Sequence, residues 1–399
     1  MEVAVEHVAL TLVLIAVVLS LSAFVSSTVL PSVKHAEEHQ LEPLAEAVLD
    51  EIVYSYGYPP DWGSDVRISS EELESFGLAK LEGRPNELDL DKVLRLRDPA
   101  EYPLPDTLYI PPKRALELLG LDPLEYGMRL TVVPALNITV EVLEYREPIH
   151  GCHCPRAGFP ESIAVSVSNY EGFPAPRANV TALYVLVYVE RGESRYSVNY
   201  TYTCEHALTD YRGEVELSFS EWLDEALGEL KKKCPKRLTY VICVYAEYYG
   251  IKSANVVNEE EALYVSAISD YLLVWFPIEV VPRGARHLRN FTVQVVPPAY
   301  LVETSMENVT RGESGYVINR GAFKFRVYEL EFVDPRASEI LLVVKWLGGE
   351  WVAVAADRIP LLVYQTGEPS GVKTAVVGKL VEIAGLTYYL EVVLWRTSE

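Results

Sequence analysis

The residues best suited to chemistry lie in one short segment, His150-Gly151-Cys152-His153-Cys154. Thiolates and imidazoles are the ligands that soft or borderline metals prefer, and two thiols one residue apart could grip one ion. Cys204-Glu205-His206 places a thiol beside an imidazole again further along the chain. A metal site would draw on the following candidates: His150, Cys152, His153, Cys154 and His206.

The chain has five cysteines, and all of them fall within one predicted domain: Cys152, Cys154, Cys204, Cys234 and Cys243. This clustering is typical of disulfides that staple an extracellular domain. The odd count leaves one thiol free or joined to a partner chain. There is no C-x-x-C pair, and no methionine lies near a Cys/His motif, which excludes a blue-copper site. Disulfides are therefore favoured, with a metal site or free thiols as the alternatives.

The usual catalytic signatures are absent from the sequence. It contains no phosphate-binding glycine loop, no G-x-S-x-G elbow and no H-E-x-x-H pair. His7, His35 and His39 flank the apolar N-terminal segment, and His287 stands in a basic loop. We therefore expect a protein that is not an enzyme, with no catalytic residue and no cofactor.

The N-terminal apolar run is the segment that would fix the position of the rest of the chain relative to a membrane. Val8–Leu30 contains 23 residues without a charge, and a helix needs about 20 apolar residues to cross a bilayer. No Lys or Arg precedes the run, which is also longer than a signal-peptide core, so we predict an uncleaved single span contacting lipid through residues 8–30. Beyond it, Leu41, Leu44, Val48 and Ile52 recur at helical spacing and predict an amphipathic helix that continues to Tyr54.

Charge and asparagine usage indicate where the rest of the chain lies. The net charge of −22 opposes binding to a phosphate backbone, which excludes nucleic acid as a partner. Five of ten asparagines stand in the Asn-x-Thr glycosylation pattern, where about one would be expected by chance. These acceptors are Asn137, Asn179, Asn199, Asn290 and Asn308. They outweigh the single Lys34, which by the positive-inside rule would place the body in the cytoplasm, so we predict an extracellular body.

Residues 58–129 mix short elements, and strands dominate after residue 130. Ser69 with Glu72 predicts a capped short helix ending at Gly77, and Pro111 and Gly120 bracket a second one. The later strands are short and separated by turn signals, as in a β-sandwich. The predicted strands include Ser162–Asn169, Val180–Glu190, Tyr196–Thr203, Thr239–Tyr249, Leu263–Leu273, Tyr316–Phe332, Val372–Val381 and Tyr388–Trp395.

Four motifs occur in order within the first part of the chain: GYPPDWG (57–63), FGLA (76–79), LDLDKVLRL (88–96) and LLGLDPLEYG (118–127). Together with the apolar opening, they resemble archaeal pilin-like membrane-anchored surface proteins. The resemblance implies a hydrophobic helix that leads into a glycine-proline-tryptophan turn and a small α/β head. Pilin precursors carry a basic peptide before that helix, whereas Glu2 and Glu6 stand here, which leaves filament formation open.

The segment NYEGFPAPRANVTALYV, from Asn169, resembles immunoglobulin-like repeats of cell-surface adhesins. The expected fold is thus α+β and mostly β, in four parts: a membrane and juxtamembrane helix (1–57), a pilin-like head (58–129), an immunoglobulin-like sandwich (130–258) and a second β-rich, sandwich-type domain (259–399). The expected function is that of a single-pass, membrane-anchored extracellular structural or adhesin-like protein. It would associate with itself or with other envelope proteins. An extracellular ligand- or metal-binding module and a true filament-forming pilin are the alternatives.

Overall fold

The computed structural model describes residues 30–65, 67–98, 108–149, 151–152, 154–155, 157–191, 196–233, 235, 237–258, 361–369 and 373–397, together with seven strands between 264 and 345. Side chains are described from residue 41 onward, except in residues 189–199, in Arg237 and between 258 and 360. The predicted membrane span therefore lies outside the described residues. Within them, no helix is long and apolar enough to cross a membrane.

The described chain is mostly β, which confirms the predicted class. Four helices are α1 (Leu30–Tyr54), α2 (Leu90–Leu94), α3 (Pro112–Leu118) and α4 (Ser220–Lys233). The strands before residue 260 are β1 (Glu87–Leu88), β2 (Tyr126–Pro134), β3 (Leu136–Arg146), β4 (Phe159–Asn169), β5 (Asn179–Arg191), β6 (Tyr196–Leu208), β7 (Glu214–Ser218), β8 (Arg237–Tyr248) and β9 (Ile251–Asn258). The later strands are β10 (Tyr264–Ile268), β11 (Tyr271–Phe276), β12 (Phe291–Val295), β13 (Glu307–Val309), β14 (Ser314–Arg320), β15 (Phe323–Glu329), β16 (Leu341–Lys345), β17 (Leu362–Gln365), β18 (Thr374–Ile383) and β19 (Leu386–Arg396).

Helix α1 is the amphipathic helix that the sequence predicts, and it ends at Tyr54 as expected. Its buried stripe follows the three- and four-residue steps of one helix face, and comprises Leu41, Ala45, Val48, Leu49, Ile52 and Val53. Pro43 lies inside the helix on its exposed side. The helix begins at Leu30, the last residue of the apolar run, so about three helical turns separate the run from the first residue of the stripe, Leu41.

The head of the structure is larger than the predicted residues 58–129. It also includes α1 and, from the other end of the described chain, the strands β17, β18 and β19. Its sheet has the order β1-β18-β19-β2-β17, and α1 packs on β18 and β19. The inward face of β19 buries Tyr388, Leu390, Val392 and Leu394 in the same core as the α1 stripe. The predicted boundaries put β17, β18 and β19 with residues 259–399, whereas β17 and β19 pair with β2, and β18 pairs with β19. Period-two alternation identifies a strand but carries no information about its partner.

Residues 136–258 form two facing antiparallel sheets, β3-β4-β7 and β6-β5-β8-β9. Alternate residues of β5, such as Ala182, Tyr184 and Leu186, point into the core between them. Helix α4 closes one side of this core with Leu223, Leu227 and other apolar residues. The chain crosses between the sheets after β4, β6 and β7, as in a Greek-key sandwich.

The outer face of the four-stranded sheet is also buried along its two central strands. Val185, Val187, Val241 and Cys243 have no exposed surface. A strand buried on both faces reads as a continuous apolar run. This double burial explains why Val180–Glu190 lacks the alternation seen in Ser162–Asn169.

Two sequence predictions of single long strands are wrong. Leu263–Leu273 overlaps the paired strands β10 and β11, and Tyr316–Phe332 overlaps the paired strands β14 and β15. In each case two residues separate the strands, Ser-Asp and Gly-Ala respectively, and serine, aspartate and glycine favour turns. All four strands belong to one sheet, β10-β11-β15-β14, and the strands β13, β12 and β16 form another.

The two short elements predicted in the head have different outcomes. Helix α3 starts after Pro111 and is followed by Gly120 at φ +77°, as predicted. The capping contact between Ser69 and Glu72 also forms, with the Ser69 N–H donating to the Glu72 carboxylate at 2.8 Å. No helix follows it, because the chain makes only a turn before Leu73 and Phe76 enter the core.

Candidate functional site

The turn after α1 is organised around Trp62, which is fully buried. Its indole Nε1–H lies 3.2 Å from the carbonyl oxygen of Tyr56 and 3.3 Å from that of Gly77, and donates to both. A Cβ atom on Gly77 would lie 2.2 Å from the Ser55 carbonyl oxygen, so only glycine permits this close approach. The indole thereby ties the GYPPDWG motif to the FGLA motif.

Two buried cations flank the same indole ring. Lys92 Nζ donates to the carbonyl oxygens of Tyr56 and Ala79, each at 2.9 Å. Arg95 Nε donates to the Leu108 carbonyl at 2.7 Å, and its terminal nitrogens donate to the carbonyls of Trp62 and Ile68. Both cations lie within 6 Å of the Trp62 ring centre, within range of a cation–π interaction.

Burial of these cations determines their electrostatics. It lowers the pKa of Lys92, and it lowers that of Arg95 to about 10, because a charged form in a dry site loses its hydration. Neither side chain has any exposed surface, so neither can meet a ligand from solvent. Three of the motifs that carry the pilin-like resemblance thus meet in one buried cluster, formed by Trp62, Lys92 and Arg95, which we call the Trp62 staple. The sequence offered no direct sign that these two cations are buried.

A second set of contacts joins α1 to the edge of the head sheet. Lys379 Nζ on β18 donates to the Asp50 carboxylate at 2.9 Å and to the Tyr54 hydroxyl at 3.0 Å, and it lies over the Tyr54 ring. These hydrogen bonds, that to Tyr54 foremost, raise the pKa of Lys379. Helix α1 is therefore held on the head sheet by apolar packing on its buried face and by the polar contacts of Lys379 at its exposed edge.

The sandwich is attached to the head through β19. The Thr387 hydroxyl accepts from the Lys252 N–H at 3.2 Å, and the Thr387 carbonyl accepts from Ala135 at 2.9 Å. The rings of Tyr170 and Tyr389 stack with centroids 4.4 Å apart and planes inclined by 7°. The C-terminal strand thus contacts both the helix that leads to the N-terminal segment and the inserted sandwich.

The cysteines predicted to form disulfides are dispersed. No disulfide joins any two of the four that the structure describes, and Cys234 lies outside the described residues. Cys204 on β6 and Cys243 on β8 both oppose Leu183, from its two sides. Two strand spacings separate them by about 9.5 Å, whereas a disulfide needs Cα atoms within about 7 Å. These two thiols cannot be bridged without moving β5.

The environments of these thiols oppose nucleophilic chemistry. Burial raises the pKa of Cys243 to about 12. Burial, and secondarily the charge of Glu205, raises the pKa of Cys204. A reactive cysteine needs a lowered pKa, because the thiolate is the nucleophile.

Cys204 nevertheless belongs to a chain of three polar groups on the outer face of the sandwich. The Thr181 hydroxyl lies 2.8 Å from His206 Nδ1, and His206 Nε2 lies 3.5 Å from Cys204 Sγ. Register causes this, since Thr181 pairs with His206 across β5 and β6 while Cys204 stands two residues away on the same face. The C-x-H spacing was the sequence signal for this cluster.

The other predicted metal candidates lie elsewhere. Cys152 and Cys154 are half-buried in the connection from β3 to β4, against the sandwich core. That connection lies at one end of the sandwich. The turn from β6 to β7 lies at the opposite end, where the Val167 N–H donates to the Gly213 carbonyl oxygen. His150 and His153 lie outside the described residues. Among the residues that are described, no three His, Cys, Asp or Glu side chains are grouped to hold a metal.

Four of the five predicted glycan acceptors lie on strands. Asn137 on β3 and Asn179 at the start of β5 are exposed. Asn199 lies within β6 and Asn308 within β13, where side chains are not described, and Asn290 lies outside the described residues.

Comparison with known proteins adds little. No protein-family model matches the chain, and no curated protein matches it. Among solved structures, the bacterial integrin-binding protein invasin is similar at 11% identity, over 65% of this chain and 54% of the invasin chain, with a TM-score of 0.14. The chain thus spans about half the length of invasin. A likeness at this score supports no argument.

Proposed function

We propose that this protein is a membrane-anchored, extracellular structural protein without enzymatic activity, which holds a β-sandwich away from the cell membrane. The observation that supports it most is that α1 starts at Leu30, the last residue of the N-terminal apolar run in the sequence. The helix begins at Leu30 and is buried in the head core from Leu41 to Val53. A span joined to such a helix would be coupled to the head by packing and not by a flexible linker.

The path of the chain favours a protein whose head presents the sandwich to the outside of the cell. Strands β2 and β17 are neighbours in the head sheet, and residues 135–361 leave and return between them. The sandwich is therefore an insertion held by two chain crossings and by the contacts of Thr387 and Tyr389. A force on the sandwich would reach α1 through β19, which contacts both.

The finer family likenesses belong to the same proposal. A helix laid on an antiparallel sheet, with the Trp62 staple at its end, fits a pilin-like head. A three-stranded sheet packed on a four-stranded sheet with Greek-key crossings fits an immunoglobulin-like sandwich. The exposed acceptors Asn137 and Asn179 support an extracellular location, because glycosylation requires access.

The experiment is membrane fractionation of the full chain and of a variant with Leu14→Arg and Val18→Arg. Each arginine at the centre of a span costs about 2.5–3.5 kcal/mol, so the double variant should shift to the soluble fraction. Leu14→Ala with Val18→Ala is the matched control and should stay with the membrane. A wild-type chain that fractionates as soluble would contradict the proposal.

Sidedness is tested on intact cells. Added protease should remove a tag placed in the exposed loop at Gly367, and removal of N-glycans should shift the mobility of the wild type more than that of Asn137→Gln. A protected tag together with unmodified Asn137 would place the body in the cytoplasm. Electron microscopy of the same cells separates an isolated anchor from a filament.

A further inference from the structure

Strand β6 is the feature of the sandwich that the proposed function does not use. It has thirteen residues and stands at the edge of its sheet, and in the described residues it pairs only with β5. Its outer face carries Tyr202, Cys204, His206 and Leu208, with Tyr202 and Leu208 largely exposed. A long edge strand presents a row of backbone donors and acceptors to another strand. Here that row is accompanied by a thiol and an imidazole.

The separation of the two side chains matches the bite of a tetrahedral metal. Zinc bound at about 2.3 Å to sulfur and about 2.0–2.1 Å to nitrogen holds these atoms about 3.5 Å apart at a tetrahedral angle. Cys204 Sγ and His206 Nε2 are 3.5 Å apart. His206 Nδ1 lies within hydrogen-bond distance of the Thr181 hydroxyl, which leaves Nε2 as the nitrogen that faces the metal position. Such an outer contact is how ligating histidines are oriented.

We propose that Cys204 and His206 are half of a zinc site, which a second copy of this chain completes with the same two residues. A structural zinc site has four protein ligands, and the described part of one chain supplies two here. Antiparallel pairing of β6 with the second copy's β6 about a two-fold axis at Glu205 places Cys204 opposite the second copy's His206. The four side chains then stand on one face, in a Cys₂His₂ set.

The geometry of that pairing favours a metal over a disulfide. Directly opposite residues have Cβ atoms about 4.5–5.5 Å apart, whereas diagonal ones are about 7–8 Å apart. Cys204 and the second copy's Cys204 are diagonal, which exceeds the Cβ separation of about 3.5–4.5 Å in a disulfide. Binding exchanges two S–H bonds for two S–Zn bonds and releases one proton from each thiol to solvent. No oxidant is needed.

The test uses the purified full chain in detergent, produced in a host without N-glycosylation because Thr181 is also part of the Asn179 acceptor pattern. After chelation and readdition of Zn²⁺, we expect one zinc per two chains and a dimer by light scattering. Co²⁺ in place of Zn²⁺ should give the absorption of a tetrahedral site with thiolate ligands. Thr181→Val should weaken zinc binding by about 10-fold, within the range for an outer contact.

Cys204→Ser and His206→Ala should each abolish stoichiometric zinc binding and dimerisation while leaving the thermal unfolding of the sandwich intact. Cys243→Ala is the matched control, since it removes a buried thiol on the same face, and it should bind zinc like the wild type. Any of four results would overturn the proposal: no zinc bound by the wild type, zinc retained by Cys204→Ser, one zinc per monomer, or a dimer that only a reductant dissociates. None of these results depends on whether the chain is membrane-anchored.

Discussion

The head and the sandwich differ in how their strands find partners. In the sandwich, β3 pairs with β4, β5 with β6 and β8 with β9, so neighbours in sequence are neighbours in space. In the head, β2 pairs with β17 and β19, which follow only after the whole inserted region. The loop of inserted residues between β2 and β17 must close before these strands can pair, and its closure costs conformational entropy that the later contacts must offset. The head therefore depends on the end of the chain, whereas the sandwich is complete without it.

The largest test of this difference is a chain that ends after Pro360, without β17, β18 and β19. It removes three of the five head strands and the surface on which α1 packs. We expect amides of α1 and β2 to lose their protection from hydrogen exchange, while those of β5 and β8 keep theirs. Equal protection of α1 in the truncated and full chains would show that the head does not need its C-terminal strands.

A smaller perturbation of the head is Arg95→Met. It leaves two buried carbonyl oxygens and one partly buried carbonyl oxygen without this donor, and each unsatisfied buried group costs about 1–3 kcal/mol. We expect the free energy of head unfolding to fall by about 3–5 kcal/mol in denaturant titrations followed by the hydrogen exchange of the α1 and β2 amides. Arg84→Ala removes a largely exposed side chain that pairs with Glu87 and Glu382, and it should change this free energy by less than about 1 kcal/mol. Equal effects of the two variants would mean that Arg95 is not buried.

The same difference explains what the sequence could predict. The stripe of α1 and most strands of the sandwich follow local periodicities, and the structure has them within a few residues of the predicted bounds. The contacts around Trp62 join separate motifs, so no local pattern in the sequence indicated that Lys92 and Arg95 are buried. The partners of β18 and β19 depend on loop closure across the inserted region, which no local pattern encodes.

The candidate cluster was predictable only in part. The Cys204-Glu205-His206 spacing marked a thiol and an imidazole on one strand face, but Thr181 enters through the register of β5 against β6. Of the more conspicuous His150–Cys154 segment, the described residues Cys152 and Cys154 lie at the other end of the sandwich. Crowding along the sequence was therefore a poor guide to crowding in space.

Within the sandwich, Tyr184 offers a contrast to the satisfied cations of the head. Its ring contacts Phe219, Trp222 and Tyr240, and its hydroxyl is buried with no hydrogen-bond partner in the described residues. Burial raises the pKa of Tyr184 far above its usual value, so the hydroxyl stays protonated. Tyr184→Phe should stabilise the sandwich by about 1 kcal/mol, because it removes an unsatisfied polar group and keeps the ring.

The control is Tyr184→Ala, which should destabilise the sandwich by about 3–5 kcal/mol through the cavity it leaves. Thermal unfolding at neutral pH measures both variants. Destabilisation by Tyr184→Phe of more than about 1 kcal/mol would indicate a hydrogen bond to that hydroxyl and would erase the contrast with the head.

The smallest expected effect is a pH dependence confined to the head. The side chain of Arg67, and then its backbone N–H, donate to the Asp65 carboxylate and lower its pKa to about 2 from the ordinary 3.8. A carboxyl with a depressed folded pKa stabilises the fold above its unfolded pKa and loses that contribution as the pH falls through the folded value. Asp65→Asn should therefore lower head stability by a constant amount above about pH 5 and by a shrinking amount between about pH 4 and pH 2.

Arg67→Ala should reproduce this profile, and Tyr184→Phe in the sandwich should show no such window. A difference between Asp65→Asn and wild type that persists undiminished at about pH 2 would assign the effect to lost packing and not to the charge of Asp65.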